Sequence, residues 1–586
     1  MEDLLNLHNI GAYINITADE HLNEYIGDSD KRVEFLTRFT GSNGMAITCK
    51  KNVLFTDSRY YIQAKKELVN YKLMKMGIDS IEVFLNENID IKRVGLNPRH
   101  YSYKWLKDFK EKLSKFDIEV VLIEEDFVDI LNKDKPKRTF NEIYSIQNYK
   151  ILDFYKKNCE LLNYKEDIKE IMLFKDLDEN STICGKTYQQ KLENARKEFN
   201  SDEELIITEM DTICWLFNLR GSDIAFNPLF YSYAVISQNS SKLFCNQKIN
   251  IENVEVLEYE KFETYIKESN SKMVVSHSCN AFIDSILTNH RFTDKIRELQ
   301  SIKSKEELEG FHLAYILDGL ALNSLFNFID TETGRGLREI DVSKKLHEIK
   351  SKFFGYKFPS FESIVGTGEN SAIIHYSPGD VEIKRGSVCL LDTGSNYIFG
   401  TTDTSRTLFT GNPSSEVKLN YTKTLKGQIR AMKQIYPHNI NGAIIDSMTR
   451  LELWNNKENY GHASGHGVGH FLCVHESPPS LSYNYNAKVL LRQVFSVEPG
   501  IYLEGKFGIR LENLVYSQDI GNNFMKLVNL TYVPYQMNMI DVDLLDQDEF
   551  NYINEISSMT RKMLLPFMQD GKDKDYLLLN TNKLKN

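Results

Sequence analysis

Two aspartates in the second half of the chain stand where a charged side chain is costly to bury. Asp392 lies in SVCLLDTGS, an apolar run typical of a buried strand, where a carboxylate is strongly destabilising unless it is paired or bound to a metal. Asp403 lies in FGTTDTSRTLF, where a glycine-bearing turn would fold a second strand back and bring the two carboxylates together. For each aspartate alone, an N-cap or Asx-turn role is an equally good interpretation.

Four histidines crowd the segment GHASGHGVGHFLCVHE. They are His462, His466, His470 and His475, although the whole chain has only 13 histidines. The interspersed glycines argue against a helix, so we predict a loop that holds the imidazoles by unusual backbone angles. A lone histidine would more often be a structural residue, but a cluster of this kind favours a functional site.

Two glutamates follow in strand-like segments. Glu498 ends the strand in FSVEPGIY, directly before Pro and Gly, which terminate the strand and expose the side chain. In FGIRLENLVY, alternation predicts that Arg510, Glu512 and Leu514 share one face. An ion pair with Arg510 is a serious alternative explanation for Glu512 alone, but it does not account for the other acidic residues.

Taken together, Asp392, Asp403, His466, Glu498 and Glu512 form an oxygen-rich ligand set. Such a set suits two hard or borderline divalent ions such as Mn²⁺, Co²⁺ or Zn²⁺, and not a thiolate-type structural zinc. Carboxylates can bridge two ions about 3.5–4 Å apart, at which spacing a shared hydroxide becomes a nucleophile at neutral pH. The pattern therefore predicts a hydrolase.

The elements that must position these residues belong to a large α/β protein. The chain has 586 residues and 68.0 kDa, enough for three or four domains. We predict an N-terminal α/β domain at 1–140, a middle α/β domain of similar size and element order at 141–298, and a catalytic region with a C-terminal extension at 299–586. The polar segment 131–142 is the predicted linker. YKEDIKEIMLF (164–174) is predicted to be a helix, and Ser304 with Glu307 forms a capping-box signature at the start of a long amphipathic helix.

Composition excludes several classes of protein. The net charge is −11, from 71 basic and 82 acidic residues, which does not suit binding of a phosphate backbone. The eight cysteines are scattered, no run approaches the length of a membrane helix, and the N-terminus does not resemble a signal peptide. We therefore expect a cytoplasmic protein that acts on neither nucleic acid nor membranes.

The ordered motifs LLDTG, TTDTSRT, HASGHGVGHFLCVHE, FSVEPGIY and GIRLEN resemble the catalytic domain of the metallopeptidase family with the pita-bread fold. TGSNGMAI, LFTDSRYYIQA, DTICWLFNLRGSDIAFNP and IIHYSP are similar to segments of its three-domain, cytosolic-type Xaa-Pro aminopeptidases. The resemblance covers nearly the whole chain. It implies an α/β protein with two similar creatinase-like N-terminal domains, followed by an α+β pita-bread catalytic domain.

The resemblance also implies roles for single residues. Asp392, Asp403, His466, Glu498 and Glu512 would bind two divalent ions, most often Mn²⁺ in this group, and Glu498 would be the general base.

Six further residues match motifs outside the ligand set. His375, His462 and His475 would contact the substrate and stabilise charge, and Arg59 would be offered to the active site by an N-terminal domain of the same chain or of a neighbouring subunit. Tyr502 and Arg510 would orient the glutamates, whereas His470 matches no fixed role.

The expected reaction is removal of the N-terminal residue from peptides with proline in second position. Prolidase, which cuts Xaa-Pro dipeptides, is the nearest alternative, although its usual chain lacks the middle domain. A non-catalytic scaffold with a peptidase-like fold is a third possibility, disfavoured because all five ligands are present.

We also expect a homodimer. The resembling group is commonly dimeric, and the apolar positions of LTYVPYQMNMIDVDLL (530–545) exceed what one domain's own core would need. This segment is therefore predicted to lie close to the two-fold axis.

Overall fold

The computed structural model describes residues 1–585 and divides into two compact units. The first unit comprises residues 1–145 and 188–296. The second comprises residues 146–187 and the chain from residue 297 onward. Segment 146–187 thus belongs with the C-terminal region and not with the middle one, and the three-domain division at 140 and 298 stays a prediction.

Eighteen helices occur among the described residues. Helices α1 to α9 comprise Glu2–Leu7, Arg32–Thr37, Tyr61–Glu67, Ile81–Asn88, Tyr103–Ser114, Phe127–Leu131, Ile151–Leu161, Tyr188–Arg196 and Met210–Leu216. Helices α10 to α18 comprise Lys261–Glu268, Ala281–Ile286, Lys295–Ser301, Lys305–Glu332, Glu339–Lys350, Ser415–Lys433, Gly442–Asn455, Gln547–Leu564 and Lys572–Asn580. Within residues 1–585, none of them combines the length and the apolar composition needed to cross a bilayer.

Two six-stranded sheets of the same topology form the first unit. Strands β1 to β6 comprise Ala12–Ile16, Gly44–Thr48, Val53–Thr56, Lys72–Lys75, Arg93–Leu96 and Glu119–Leu122, in the order β4-β3-β2-β1-β5-β6. Strands β7 to β14 comprise Tyr144–Ser145, Glu203–Ile207, Leu219–Arg220, Tyr233–Ile236, Ser241–Phe244, Glu255–Leu257, Lys272–Val275 and His290–Phe292. Six of them form the second sheet, in the order β12-β11-β10-β8-β13-β14, and β7 pairs with β9.

In each sheet order, the second and third of the five strand pairs are antiparallel, and the other three pairs are parallel. In the first, β3-β2 and β2-β1 are antiparallel, whereas β4-β3, β1-β5 and β5-β6 are parallel. In the second, the corresponding pairs β11-β10 and β10-β8 are antiparallel, and the other three are parallel. The repeat of fold suspected from element order is therefore confirmed.

The strands of the second unit carry the candidate site. Strands β15 to β26 comprise Tyr356–Phe358, Ile364–Thr367, Val388–Tyr397, Gly400–Phe409, Ile435–Pro437, Gly465–Gly467, Glu476–Leu481, Val494–Val497, Gly500–Leu503, Phe507–Arg510, Asn513–Gly521 and Phe524–Asn529. One sheet contains β15, β16 and β18, with β17 as their common neighbour. A second has the order β19-β26-β25-β22-β20-β21, and β23 pairs with β24.

Helix α13 begins where the capping box predicted. The Ser304 side chain accepts from the Glu307 backbone N–H, and the Glu307 side chain accepts from that of Ser304. The helix then packs closely on the turn between β17 and β18: a Cβ on Gly310 would lie 1.9 Å from the Phe399 carbonyl oxygen. Only glycine allows this approach of helix and hairpin.

Segment 146–187 is attached to α13 through a buried carboxylate. Glu309 accepts hydrogen bonds from the Tyr155 hydroxyl and from the backbone N–H groups of Leu173 and Phe174, the latter two at 3.1 and 2.7 Å. The helix predicted over 164–174 is wrong, since only Ile168–Glu170 form a single 3-10 turn. The backbone donors of Leu173 and Phe174 bind Glu309 instead of continuing a helix.

The apolar residues in the first part of 530–545 are buried within the chain, so their number no longer indicates an interface, and the position of the segment near a two-fold axis stays a prediction. Leu530, Tyr532, Val533, Tyr535 and Met539 are each at most 3% exposed. Several of them pack in the cores that α13, α15 and α17 share with the sheets. The apolar excess of this segment is used by the protein's own core because the segment passes between helices instead of covering one side of a domain.

Candidate metal centre

The hairpin β17–β18 places two aspartates on one face. Asp392 is paired with Ser405, and Asp403 with Gly394, so the two carboxylates are diagonal neighbours on the same side of the sheet. All residues of both strands are buried. The convergence expected from the turn is present.

His466 lies in strand β20 and faces the hairpin, so the predicted loop with unusual backbone angles is wrong at this position: neither Gly465 nor Gly467 has a positive φ. Glycine is needed there for close packing, since a Cβ on Gly465 would lie 1.9 Å from the Ser496 carbonyl oxygen. Its Nε2 is 3.5 Å from Asp403 Oδ2 and 3.4 Å from Glu498 Oε1. Its Nδ1 is 2.9 Å from the Gly467 carbonyl oxygen, which can only accept a hydrogen bond. Nδ1 therefore carries a proton, and Nε2 is the atom available to a metal ion.

The two glutamates approach from neighbouring strands. Glu498 follows β22, and its Oε1 accepts from the Ser496 hydroxyl at 3.2 Å. Glu512 does not continue a strand from Arg510 as predicted, because β24 ends at Arg510 and β25 begins at Asn513. At this break the Glu512 N–H donates to the Ser405 carbonyl at 3.1 Å, and Glu512 Oε2 accepts from the Ser405 hydroxyl at 3.0 Å.

Ligand-type atoms of Asp403, His466 and Glu512 lie within 4.8 Å of one another. The alternative in which Arg510 pairs with Glu512 is not what the structure contains. Arg510 instead donates to Asp392 Oδ2 at 2.6 Å and to the Ser405 hydroxyl at 3.0 Å. The guanidinium thus neutralises one aspartate and leaves the remaining carboxylates facing a single imidazole.

The pKa values record this crowding of negative charge. Burial raises the pKa of Asp392, Glu498 and Glu512, and the nearby charge of Asp403 raises all three further. Burial alone would lower the pKa of His466, but the hydrogen bond to Asp403 and the charge of Glu498 raise it to about 9. The four carboxyl groups outnumber the two cationic groups beside them, Arg510 and His466.

Unsatisfied oxygens test whether these residues fit a metal. Asp392 Oδ1 and Glu512 Oε1 are buried and have no hydrogen-bond partner. An unpaired buried acceptor of this kind costs about 1–3 kcal/mol, which a bound cation would offset. Four carboxylates and one imidazole suit divalent ions that accept oxygen and nitrogen ligands. The residues fit a pair of such ions.

A chain of hydrogen bonds connects the rim of the centre to its interior. His462 Nε2 is 2.8 Å from the Tyr502 hydroxyl, which accepts from Arg510 Nη1 at 3.0 Å. Arg510 in turn binds Asp392. Burial raises the pKa of Tyr502 to about 12, so its hydroxyl keeps its proton at neutral pH.

The other predicted substrate histidines lie nearby. The His475 ring is 4.2 Å from the His466 ring in an edge-to-face arrangement. His375 follows Ile374, whose carbonyl accepts from Arg510 Nη2 at 3.3 Å. His470 is buried, and its Nε2 is 2.8 Å from the Phe399 carbonyl, consistent with a structural role.

Arg59 belongs to the first compact unit. It follows β3, and its guanidinium donates to both carboxylate oxygens of Asp57 at 2.9 and 2.8 Å, with Glu24 at 3.6 Å. Its expected contribution to the active site stays a prediction.

Sequence reasoning missed two residues, Tyr315 and Arg406, that bind the backbone at or beside the proposed ligands. The Tyr315 hydroxyl donates to the Asp403 carbonyl at 2.7 Å and accepts from the Asp403 N–H at 3.0 Å. Arg406 is fully buried and donates to the carbonyls of Ser405 and Glu512 at 2.9 and 2.6 Å. Tyr315 is part of the apolar stripe of α13, so the sequence predicted only a core residue. The position of Arg406 three residues after Asp403 was the available signal.

Comparison with known proteins agrees with this geometry. Residues 309–519 match the model of metallopeptidase family M24, and residues 523–584 match the C-terminal region of the same family. Residues 11–128 and 177–307 each match the creatinase/prolidase N-terminal domain.

Two relatives of similar length are both described as a probable Xaa-Pro aminopeptidase P. A probable Xaa-Pro aminopeptidase P from Laccaria bicolor is 30% identical over 97% of this chain and 90% of its own length. One from Podospora anserina is 31% identical over 99% of this chain and 88% of its own length.

Solved structures give the same result. An X-prolyl aminopeptidase from Caenorhabditis elegans, described as a cytosolic enzyme with a di-nuclear active site, has a TM-score of 0.89 and 27% identity. The match covers 100% of this chain and 97% of that one. An Xaa-Pro dipeptidase from Bacillus anthracis has a TM-score of 0.51 and 22% identity over 60% of this chain and 99% of its own. That likeness concerns the fold alone.

The effect of divalent ions on stability should grow with pH. In the metal-free protein, the carboxyl groups with raised pKa values contribute to folding stability below about pH 4. This contribution is lost as the pH rises and the groups ionise. His466 has a pKa of about 9, so its contribution is lost between about pH 6.5 and pH 9. Thermal unfolding with EDTA and with Mn²⁺ measures the difference in midpoint, which should widen from pH 5 to pH 8.5. A constant or narrowing difference would contradict the centre as described.

Proposed function

The chain belongs to metallopeptidase family M24, and from this membership we propose that its centre removes the first residue of peptides that carry proline in second position. It is a hydrolase and a metal-dependent aminopeptidase. The observation that carries the proposal is the convergence of buried carboxylates with orphaned oxygens, in a chain that matches Xaa-Pro aminopeptidases along nearly its whole length.

Asp392, Asp403, His466, Glu498 and Glu512 are the proposed ligands of two divalent ions. When bound, the ions supply Lewis-acid activation of a water molecule and neutralise charge on the scissile carbonyl. Mn²⁺ is the proposed metal, because the oxygen-rich donor set suits it, and Zn²⁺ or Co²⁺ could occupy the same ligands. Support for two ions comes from the donor set and from the di-nuclear site described for the nematode enzyme.

Glu498 is the proposed general base. Its side chain is 16% exposed, more than that of Asp403 at 6%, and it stands at the edge of the cluster beside His466. The raised pKa of Glu498 suits a carboxylate that takes a proton from water and returns it to the leaving imino nitrogen of proline.

His375, His462 and His475 are proposed to bind the substrate. His462 shares a hydrogen bond with Tyr502, which fixes its ring, and His475 packs against the ligand His466. An imidazole N–H can donate to the carbonyl oxygen as negative charge develops on it. In His462, Nδ1 faces the Ala463 carbonyl at 2.7 Å, so the donor would be Nε2, which would exchange the Tyr502 hydroxyl for the substrate. Arg59 is proposed to add a cation for the peptide from an N-terminal domain.

The chemistry of proline explains the need for a dedicated enzyme. The bond before proline is a tertiary amide without an N–H, and the preceding residue is conformationally restricted. An aminopeptidase that grips that N–H therefore fits the substrate poorly.

A cytoplasmic location is proposed as well. None of the eight cysteines, all within residues 1–585, forms a disulfide, and seven are buried. The nematode protein is described as cytosolic. Free, buried thiols are typical of a reducing compartment.

Hydrolysis of chosen peptides tests the activity. Metal-depleted protein reloaded with Mn²⁺ should release arginine from Arg-Pro-Pro and should leave a Met-Ala peptide intact. Asp403→Ala should abolish turnover and lose bound metal, since the remaining carboxylates would repel one another. Activity on the dipeptide Arg-Pro alone would identify a prolidase, and normal turnover with two metals in Asp403→Ala would refute the ligand assignment.

Loss of a substrate histidine should have a different signature. His462→Ala or His475→Ala should keep two metals per chain and lower kcat by on the order of 10²–10³, the loss expected for one oxyanion-type donor. Metal analysis beside steady-state kinetics separates the cases. Loss of metal from either variant would mean that the replaced histidine is a metal ligand, and that the assignment of ligand and substrate histidines is wrong.

We further propose that the protein is a homodimer, the commonest closed arrangement of soluble chains. Residues 530–535, 539 and 540 are buried within the chain, so the apolar excess of segment 530–545 does not support the proposal. Support comes instead from the exposed apolar side chains of α16, among which Ile444, Leu451 and Trp454 are each at least 40% exposed. Light scattering after size exclusion should give a mass near 136 kDa, twice 68.0 kDa. A mass near 68 kDa would exclude the dimer and leave the peptidase assignment intact.

A further inference from the structure

A fully buried carboxylate at the start of α14 binds the loop that carries His375. Glu339 is 0% exposed. Its Oε1 accepts from the Thr367 N–H at 2.8 Å and from Asn370 Nδ2 at 3.1 Å. Its Oε2 accepts from the Tyr376 hydroxyl at 2.7 Å and from the Gly379 N–H at 3.1 Å. All four donors belong to residues 367–379, on both sides of His375.

The backbone at the start of α14 is joined to the same loop. The Glu339 N–H donates to the Val381 carbonyl at 3.0 Å, and the Ile340 N–H donates to the Gly379 carbonyl at 3.2 Å. The backbone at the start of the helix thus binds the C-terminal end of the loop, and the Glu339 carboxylate binds both ends.

The opposite side of the loop rests on β24. The Gly508 N–H donates to the Ser371 hydroxyl at 2.8 Å, and a Cβ on Gly508 would lie 2.1 Å from the Ser371 carbonyl. Arg510, which binds Asp392, donates to the Ile374 carbonyl. His375 is therefore held between a strand tied to the centre and the Glu339 carboxylate.

We propose that Glu339 is a positioning residue that fixes His375 toward the substrate. The inference rests on the proposed function, in which His375 contacts the peptide. Tyr376, the neighbour of His375, is bound by Glu339 and by Asn370 Nδ2 at 2.9 Å, so its side chain cannot turn without breaking two hydrogen bonds. The backbone of His375 then has little freedom, and its ring meets the substrate in one geometry.

Glutamine cannot replace this carboxylate. The amide of Glu339→Gln donates where one oxygen accepted, so the backbone N–H of either Thr367 or Gly379 loses its acceptor. Because misplacement of a catalytic group by about 1 Å can cost 10²-fold, we expect kcat/KM to fall by on the order of 10–100-fold. Tyr376→Phe, which removes one hydrogen bond, should lower it less. Asp341→Asn is the matched control, since Asp341 is an acidic residue in the same helical turn that accepts only from Arg338.

A double-mutant cycle tests whether Glu339 acts through His375. Kinetics on Arg-Pro-Pro, metal content and amide exchange of residues 367–379 are compared for His375→Ala, Glu339→Gln and the double variant. We expect every variant to bind two metals. Amide exchange of residues 367–379 should be faster in Glu339→Gln but not in Asp341→Asn. Adding Glu339→Gln to His375→Ala should lower kcat/KM by less than about a further 2-fold.

Each contrary outcome has a distinct meaning. Normal activity of His375→Ala refutes the proposed role of His375 and the inference with it. If His375→Ala is impaired, and adding Glu339→Gln to it lowers kcat/KM by the same factor as Glu339→Gln does alone, the inference is overturned. The proposed function then still stands. If Glu339→Gln does not fold, the cycle is completed with Tyr376→Phe, and full additivity there overturns the inference equally.

Discussion

Repulsion among carboxylates is the constraint on which the catalytic unit depends. Asp392, Asp403, Glu498 and Glu512 converge on one imidazole in a mostly buried site, and each raises the cost of ionising the others. A fold can hold such a group only where the backbone leaves the side chains no alternative position. A fully buried hairpin and the strands beside it carry the proposed ligands.

The opposite face of the hairpin supplies part of this rigidity. Asp318 of α13 accepts from the hydroxyls of Ser395, Tyr397 and Thr402 and from Lys350, within one buried network. These strand residues alternate with Asp392 and Asp403, so the same two strands present proposed metal ligands on one side and the residues bound to Asp318 on the other. The desolvation cost of the buried Asp318–Lys350 ion pair makes it a poor source of stability. Its effect is to fix the position of the hairpin on α13.

The groups proposed to meet the substrate are held differently. His375 and His462 lie in loops, and each loop is attached to a buried charged residue on a helix. Glu339 binds the loop of His375, and Arg450 of α16 donates to the carbonyls of Tyr460 and His462 at 2.7 and 2.5 Å. A loop can admit a peptide only if it is at the surface, and it can orient an imidazole only if it is held from within.

The sequence by itself determined most of the local features and predicted which residues converge. The capping box of α13 and the hairpin between Asp392 and Asp403 follow from neighbouring residues, and the ligand types indicated a metal-dependent hydrolase. The loop predicted around His466 is a short strand instead, because its glycines serve close packing against neighbouring strands. Only the tertiary structure decided that segment 146–187 joins the second unit, that 530–535 is buried, and that Tyr315, Arg406 and Glu339 hold the surroundings of the centre in place. The physical reason is range: caps and turns are made by residues a few positions apart, whereas burial and the partners of a buried charge depend on segments far along the chain.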